Sequence, residues 1–303
     1  MRKILTIPLV IFISLFSHCI NAPRSNKYDP KNPDKAEVQG YVYEPDSLTI
    51  TGAIINLLNY NNNIVQAETS DADGCFSFTR IDPGIYKITA QTKYFANIII
   101  ENESLWAGKK LTNYRIFFNT FHFEDDEINS VPYGFITVSG DWRISEDSNG
   151  NHIYTGTDTD NTNPAITFFR NRTHAFKFSF KFMVSPVSGQ NWETGILLWY
   201  QDSLNFYSIK ITKTSVQYRL MKNGSLTVFY TKIRETTEGV FHTLKAVQAG
   251  DALPIYLDDI YLFPVSLINT AFENGYWGLY VFSHEAGTSV KVDFDDIYLK
   301  IPQ

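Results

Sequence analysis

Between residues 175 and 184 the chain reads Ala-Phe-Lys-Phe-Ser-Phe-Lys-Phe-Met-Val. Phe176, Phe178, Phe180, Phe182 and Val184 share one parity, and Lys177, Ser179 and Lys181 share the other. Successive side chains of a strand point to opposite faces, so such a run has one face for a core and one for water. The same period of two recurs in Ile196, Leu198 and Tyr200; in Tyr207, Ile209 and Ile211; in Val216, Tyr218 and Leu220; and in Val290, Val292 and Phe294. Polar breaks at Asp202–Asn205, Asn223-Gly224 and Asp258-Asp259 separate these runs as hairpins require. No segment of comparable length carries a capped stripe of period 3.6. Aromatic residues form 15% of the chain, with 23 Phe and 18 Tyr, a composition that favours pleated, half-buried strands. The expectation is an all-β protein. A small Greek-key β-sandwich over residues 37–118 precedes a larger antiparallel jelly-roll β-sandwich over 119–303.

In the smaller region Val38, Gly40 and Val42 alternate with Gln39, Tyr41 and Tyr43. Ala53–Leu58 and Ile64–Ala67 flank the turn-rich Asn59–Asn63. Asp73-Gly74 and Asp82-Pro83-Gly84 mark two further turns, the first placing Cys75 at the start of a strand. The run from Gly40 through Gly52-Ala53, Asp71-Ala-Asp-Gly-Cys-Phe-Ser-Phe78 and Ile81-Asp-Pro-Gly-Ile-Tyr-Lys-Ile88 resembles the carboxypeptidase regulatory-like domain, a transthyretin-type sandwich. That resemblance implies an accessory or spacer module without catalysis. Asp71 and Asp73 fit a hairpin rather than a calcium loop, because the twelfth position is Asp82 and the intervening ligands are missing.

In the larger region, Phe123–Asp126, Gly140-Asp-Trp-Arg-Ile144, Gly195–Tyr207, Gly275-Tyr-Trp-Gly-Leu-Tyr280 and Val292–Ile297 resemble the concanavalin A-like lectin/glucanase superfamily. The likeness is nearest to its laminin-G-like and 3-keto-disaccharide-hydrolase-like branches. Lectins, glycosidases and interaction modules share that fold, so the resemblance implies an architecture more than an activity.

The amino terminus reads Met-Arg2-Lys3, then thirteen uncharged residues Ile4–Phe16, then Ser17-His18-Cys19. A charged start and a short apolar run are the marks of a signal peptide, and a membrane span needs about 20 apolar residues. Leu15-Phe-Ser-His-Cys19 resembles a relaxed lipobox, which implies cleavage after residue 18 and acylation of Cys19; Phe16 and His18 depart from the strict pattern. Residues 19–36 are polar with three prolines and read as a flexible tether. The expected location is therefore the outer membrane or cell surface, with the membrane reached through the N-terminal lipid.

A net charge of −6 supplies no positive field for a phosphate backbone, so nucleic acid is not an expected partner. The Glu-x-Asp-x-x-Glu strand of lectin-fold glycosidases is missing, as are nucleophile-elbow, phosphate-loop and zinc-helix motifs. Two candidate sites remain. Sugar binders need solvent-facing aromatic rings beside polar groups. If Ile196, Leu198 and Tyr200 face inward, Trp199 faces outward; by the same rule Phe206 and Lys210 are outward, and Tyr280 opposes Leu279. Trp142 and Trp277, beside glycines, read as core. The second candidate is structural calcium held by Glu124, Asp125 and Asp126 at the start of the domain with Asp293, Asp295 and Asp296 at its end; solvated strand ends are the alternative. Asp158-Thr-Asp160-Asn161 is a weaker loop of the same kind. The expected function is non-catalytic binding of a polysaccharide or glycan. The alternatives are a glycoside or 3-keto-disaccharide hydrolase, and a structural, protein-binding component of the cell envelope.

Overall fold

The computed structural model describes residues 25–173, 177–186, 191–246, 251–266 and 271–300. The leader, Cys19 and Phe176 lie outside them. The described residues form strands and connecting turns, with no helix long and apolar enough to cross a membrane. They divide into two compact units.

The first unit comprises the chain up to Val42, Thr49–Ala90 and Ile98–Ile116. Its strands are β1 (Ala36–Tyr43), β2 (Ile54–Leu58), β3 (Ile64–Thr69), β4 (Cys75–Ile81), β5 (Gly84–Thr92), β6 (Phe95–Leu105) and β7 (Lys110–Phe117). One sheet has the order β4-β1-β7 and the other β6-β5-β2-β3. Val38, Val42, Phe76 and Phe78 are buried from the first, and Ile55, Leu57, Tyr86 and Ile88 from the second. The β3–β4 turn closes on Asp71, whose Oδ1 accepts the amides of Asp73 and Cys75 at 3.0 and 2.8 Å, while Gly74 takes a positive φ of 74°. Asp71 is thus a turn cap, as its sequence context implies.

Part of the segment expected as a tether, residues 26–35, is held against the first unit. The Ala107 amide donates to the Lys27 carbonyl at 2.8 Å, the Asn32 side chain to the Asn26 carbonyl at 3.0 Å, and Lys35 pairs with Asp82 at 2.6 Å. Asparagine side chains capping successive turns fix residues 26–35 onto the first unit despite their lack of apolar periodicity.

The second unit takes Tyr43–Leu48, Gln91–Asn97 and the chain from Phe117 onward. Two short segments therefore leave the region 37–118 for the larger unit. Within that unit Arg170 pairs with Glu44, Tyr94 stacks on Tyr133 at 4.3 Å, and Phe95 packs on Phe121 at 4.7 Å. Its strands are β8 (Thr120–Phe121), β9 (Phe135–Ser139), β10 (Asp141–Glu146), β11 (His152–Asp158), β12 (Ala165–Thr173), β13 (Lys177–Val184), β14 (Trp192–Asp202), β15 (Asn205–Ile211), β16 (Ser215–Lys222), β17 (Ser225–Ile233), β18 (His242–Ala246), β19 (Ala252–Leu257), β20 (Ile260–Ser266), β21 (Gly275–Ser283) and β22 (Val290–Lys300). One sheet runs β20-β19-β18-β13-β22 and continues from β22 to β11 and β10. The other is seven-stranded, β17-β16-β15-β14-β21-β12-β9. Long connections bring β21 between β12 and β14, and β22 beside β13, as a two-sheet sandwich requires.

The inner faces are lined with aromatic rings from both sheets. Phe178, Phe180, Phe182 and Val184 are fully buried, Lys177 and Ser179 are half-buried and Lys181 is exposed. Phe180 lies 5.8 Å from Phe294, and across the two sheets Tyr218 meets Phe263 at 6.4 Å and Phe135 meets Tyr154 at 5.2 Å. Trp142 and Trp277 belong to this core. Phe180→Ala should destabilise the protein by about 3–5 kcal/mol in urea unfolding, because it leaves a ring-sized void in a closed layer. Lys181→Ala, which removes only the exposed pair with Asp296, should change stability by less than about 1 kcal/mol. Equal losses in the two variants would contradict the period-two burial.

Candidate functional site

Residues of the opposite parity on the seven-stranded sheet form its open face. Register pairs align Phe168, Gly278, Leu197, Ser208 and Arg219 across β12, β21, β14, β15 and β16. Gly278 has no side chain because the Phe168 ring lies where one would be: a Cβ there would meet Phe168 Cδ1 at 2.3 Å. Ile166, Phe168, Leu197 and Tyr280 form a buried cluster, with Tyr200, Phe206 and Tyr276 packed against it. Phe168 sits 5.6 Å from Tyr276 and 4.5 Å from Tyr200, and Tyr200 stacks on Phe206 at 5.8 Å. The result is a row of rings crossing the strands, flanked at one end by Arg172 over Tyr276 at 4.9 Å.

Tyr200 reaches this face through a β-bulge. Four residues, 197 to 200, span on β14 what three, 278 to 276, span on β21, and Trp199 is the extra one, with φ of 49°. Past the bulge the parity reverses. Trp199, expected to face solvent, is 2% exposed and packs edge-on to Tyr207 at 5.3 Å. Tyr200, expected inside, turns to the open face. Gly275 makes room for the bulge, since a Cβ there would lie 2.6 Å from Trp199 Cα. Trp199 is therefore removed from the set of candidate sugar contacts.

Beside the ring row opens a cleft of about 480 Å3. Tyr200, Phe206, Leu197 and Ile166 provide apolar surface, Glu193, Arg219 and Tyr280 the polar floor, and Asp160 and Asn163 the opposite wall. Phe206, Lys210 and Tyr280 gather here, with Phe206 and Tyr280 in the lining and Lys210 behind it, but Tyr280, expected to face solvent, is buried at 3% exposure beneath its neighbours. Glu193, almost fully buried, is the centre of the polar group. Lys210 pairs with it closely, Arg219 Nη2 lies 3.5 Å from Oε1, and His284 Nε2 lies 3.1 Å from Oε2. Gly195, between Glu193 and Leu197 on the same parity, lets β15 approach closely, since a Cβ there would meet the Ile209 carbonyl oxygen at 1.9 Å. Burial alone would raise the Glu193 pKa, but Arg219 and Lys210 outweigh it and the carboxyl is held below its usual range. Tyr280 is pushed up by burial and by Glu193, so its hydroxyl keeps its proton.

Glu193 and Arg219 were not among the sequence candidates. Part of their signal was present: with Lys210 they are charges on three strands, all on the parity opposite to the core.

The proposed calcium ligands are dispersed. Asp293 is buried and accepts from Thr155 Oγ1 at 2.7 Å and pairs with Lys291 at 3.2 Å. Asp295 is half-buried, its pKa raised mainly by burial, with Asn151 at 3.4 Å. Asp296 pairs with Lys181; Glu124 and Asp125 are exposed, and Glu124 accepts the His152 amide at 3.4 Å. Burial raises Asp126. Asp158 accepts the amides of Ser283 and Asp160. Among the described residues no group of three or more His, Cys, Asp or Glu is placed to hold a metal ion.

No family model matches the chain, and no curated protein gives a significant match. Solved structures similar to it include the carbohydrate binding module CBM66 from Bacillus subtilis, at 19% identity and a TM-score of 0.42 over 55% of this chain and 95% of that one. A Bacillus licheniformis beta-glucanase is similar at 13% identity and a TM-score of 0.43, covering 61% and 99%. A family 16 endo-glucanase from Bacteroides ovatus is similar at 10% identity and a TM-score of 0.42, covering 52% and 84%.

The lowered Glu193 pKa makes a signed prediction. Its contribution to stability is complete above the ordinary value of 4.5 and is lost as pH falls through the lower folded value. The difference in melting temperature between wild type and Glu193→Gln should therefore be largest near neutrality and shrink in acid. A difference that grows towards acid pH would contradict the assignment.

Proposed function

We propose that this chain is a membrane-tethered, surface-exposed protein whose larger sandwich binds carbohydrate in the open-face cleft without cleaving it. The observation that carries this reading is the pairing of the ring row Phe168, Tyr200 and Phe206 with the Glu193, Arg219 and Tyr280 floor. A pyranose presents apolar C–H faces and equatorial hydroxyls; rings take the first and fixed donors and acceptors the second. A preorganised polar floor also avoids ordering costs on binding.

The two carboxyls of the lining argue for binding rather than turnover. A glycosidase needs one carboxylic acid with a raised pKa to protonate the leaving oxygen. Glu193 is held ionised by its cations, and Asp160 is lowered by hydrogen bonds from Thr162 and Asn163. The leader at 1–18 and acylation of Cys19 supply the membrane attachment, with the first unit as spacer.

A glycan array followed by calorimetry tests the reading. Binding should weaken about tenfold, or 1.4 kcal/mol, in Tyr200→Ala and in Phe206→Ala. Release of reducing sugar from a bound glycan would establish the hydrolase instead. Absence of glycan binding together with co-purification of envelope proteins would establish a structural component.

A further inference from the structure

The polar floor of the cleft holds more positive charge and more hydrogen-bond donors than its own acceptors satisfy. Two fixed cations, Lys210 and Arg219, converge on the single carboxylate of Glu193, and the half-exposed His284 approaches the same carboxylate. The side chains of Lys210, Arg219 and Glu193 are 18%, 13% and 9% exposed, so solvent screens the surplus cation poorly. The remaining charge of the lining, Asp160, is exposed on the opposite wall and already receives the Thr162 amide, the Thr162 hydroxyl and the Asn163 side chain from its own loop.

The donors are equally specific. Arg219 Nε donates to Ser208 Oγ at 3.2 Å, and Nη2 donates to Glu193 and to the Tyr280 hydroxyl oxygen at 3.3 Å. Nη1 has no hydrogen-bond partner among the described residues. Tyr280 is 3% exposed, and its hydroxyl accepts from Arg219 but donates to nothing among the described residues. Both side chains line the cleft. A buried hydroxyl proton left without an acceptor is costly, and Arg219 Nη1, which solvent still reaches, is a charged donor available to a ligand. A sugar hydroxyl satisfies one such donor; a carboxylate presents two coplanar acceptor oxygens, one for Arg219 Nη1 and one for the Tyr280 hydroxyl, and balances the second cation of the floor.

We propose, on the basis of the carbohydrate reading above, that the ligand is an acidic glycan whose carboxylate is held by Arg219 and the Tyr280 hydroxyl while its ring lies against Tyr200 and Phe206. Glu193, itself held by Lys210, then acts as the positioning residue that holds the guanidinium in place.

The test is calorimetry on the full chain with matched ligands: oligosaccharides of galacturonate, glucuronate and mannuronate, the same oligosaccharides after carboxyl reduction, and sulfated galactan oligosaccharides. At least one uronate series should bind, with a loss of about tenfold or more on carboxyl reduction. Tyr280→Phe and Arg219→Lys, with unchanged melting temperature, should each lose at least that factor for the acid and little for its reduced form. Equal affinity for acid and reduced forms overturns the acidic ligand but leaves the carbohydrate reading standing. Preference for the sulfated series overturns the carboxylate assignment. Failure of the whole panel, neutral and acidic, overturns both. The comparison of acid with reduced ligand uses wild-type protein, so it decides the matter even if a variant misfolds.

Discussion

Adjacent side chains on a strand must point to opposite faces of the sheet, and in the larger sandwich one of those faces is committed to the partner sheet. Tyr207, Ile209, Ile211, Val216 and Tyr218 fill the inner side, where they meet Phe263 and its neighbours. Phe206, Ser208, Lys210 and Arg219 then have no choice but the open side. The cleft is thus a geometric consequence of how the core is packed. One departure, the bulge at Trp199, inverts the rule for the end of β14 and places Tyr200 beside Phe206.

The charged floor does not need to stabilise the fold to be retained. Burial costs a carboxylate its hydration, and replacing a whole buried ion group by apolar residues is often neutral or better for stability, even where, as at Glu193, the cations outweigh that cost. Such a group supplies fixed orientation: Glu193 holds Lys210 and Arg219 in place, and Arg219 in turn presents its guanidinium beside Tyr280. Two glycines allow close approach on this face, Gly278 under the Phe168 ring and Gly195 where a Cβ would meet the Ile209 carbonyl oxygen. The acidic strand ends are the opposite case, because Asp293 and Asp296 each find a separate lysine and have no need to converge.

Most of the architecture is legible in the residue pattern, because period-two burial needs nothing beyond alternation. That is why the inward phenylalanines of β13, the turn at Asp73-Gly74 and the core positions of Trp142 and Trp277 agree with expectation. Phe206, Lys210 and Tyr280 follow from the same parity. Trp199 does not, because a bulge adds one residue without changing local composition; only the steric allowance at Gly275, 76 residues away in sequence, reveals it. Glu193 and Arg219 escape for a related reason. Each looks like an isolated charge until the strand order β14-β15-β16 brings them together. The ordered start of the first unit was hidden too, since side-chain caps on turns leave no apolar periodicity to read.

The central claim is that ligand engages the open face of the seven-stranded sheet, at the rings exposed by parity and by the bulge. Chemical-shift mapping of the protein on titration with a bound glycan tests it most directly. The account predicts shifts concentrated at Tyr200, Phe206, Arg219 and Tyr280, with Lys181, Lys245 and Tyr256 of the other sheet unmoved. Shifts centred on Lys181 and Lys245, with Tyr200 and Phe206 silent, would contradict it.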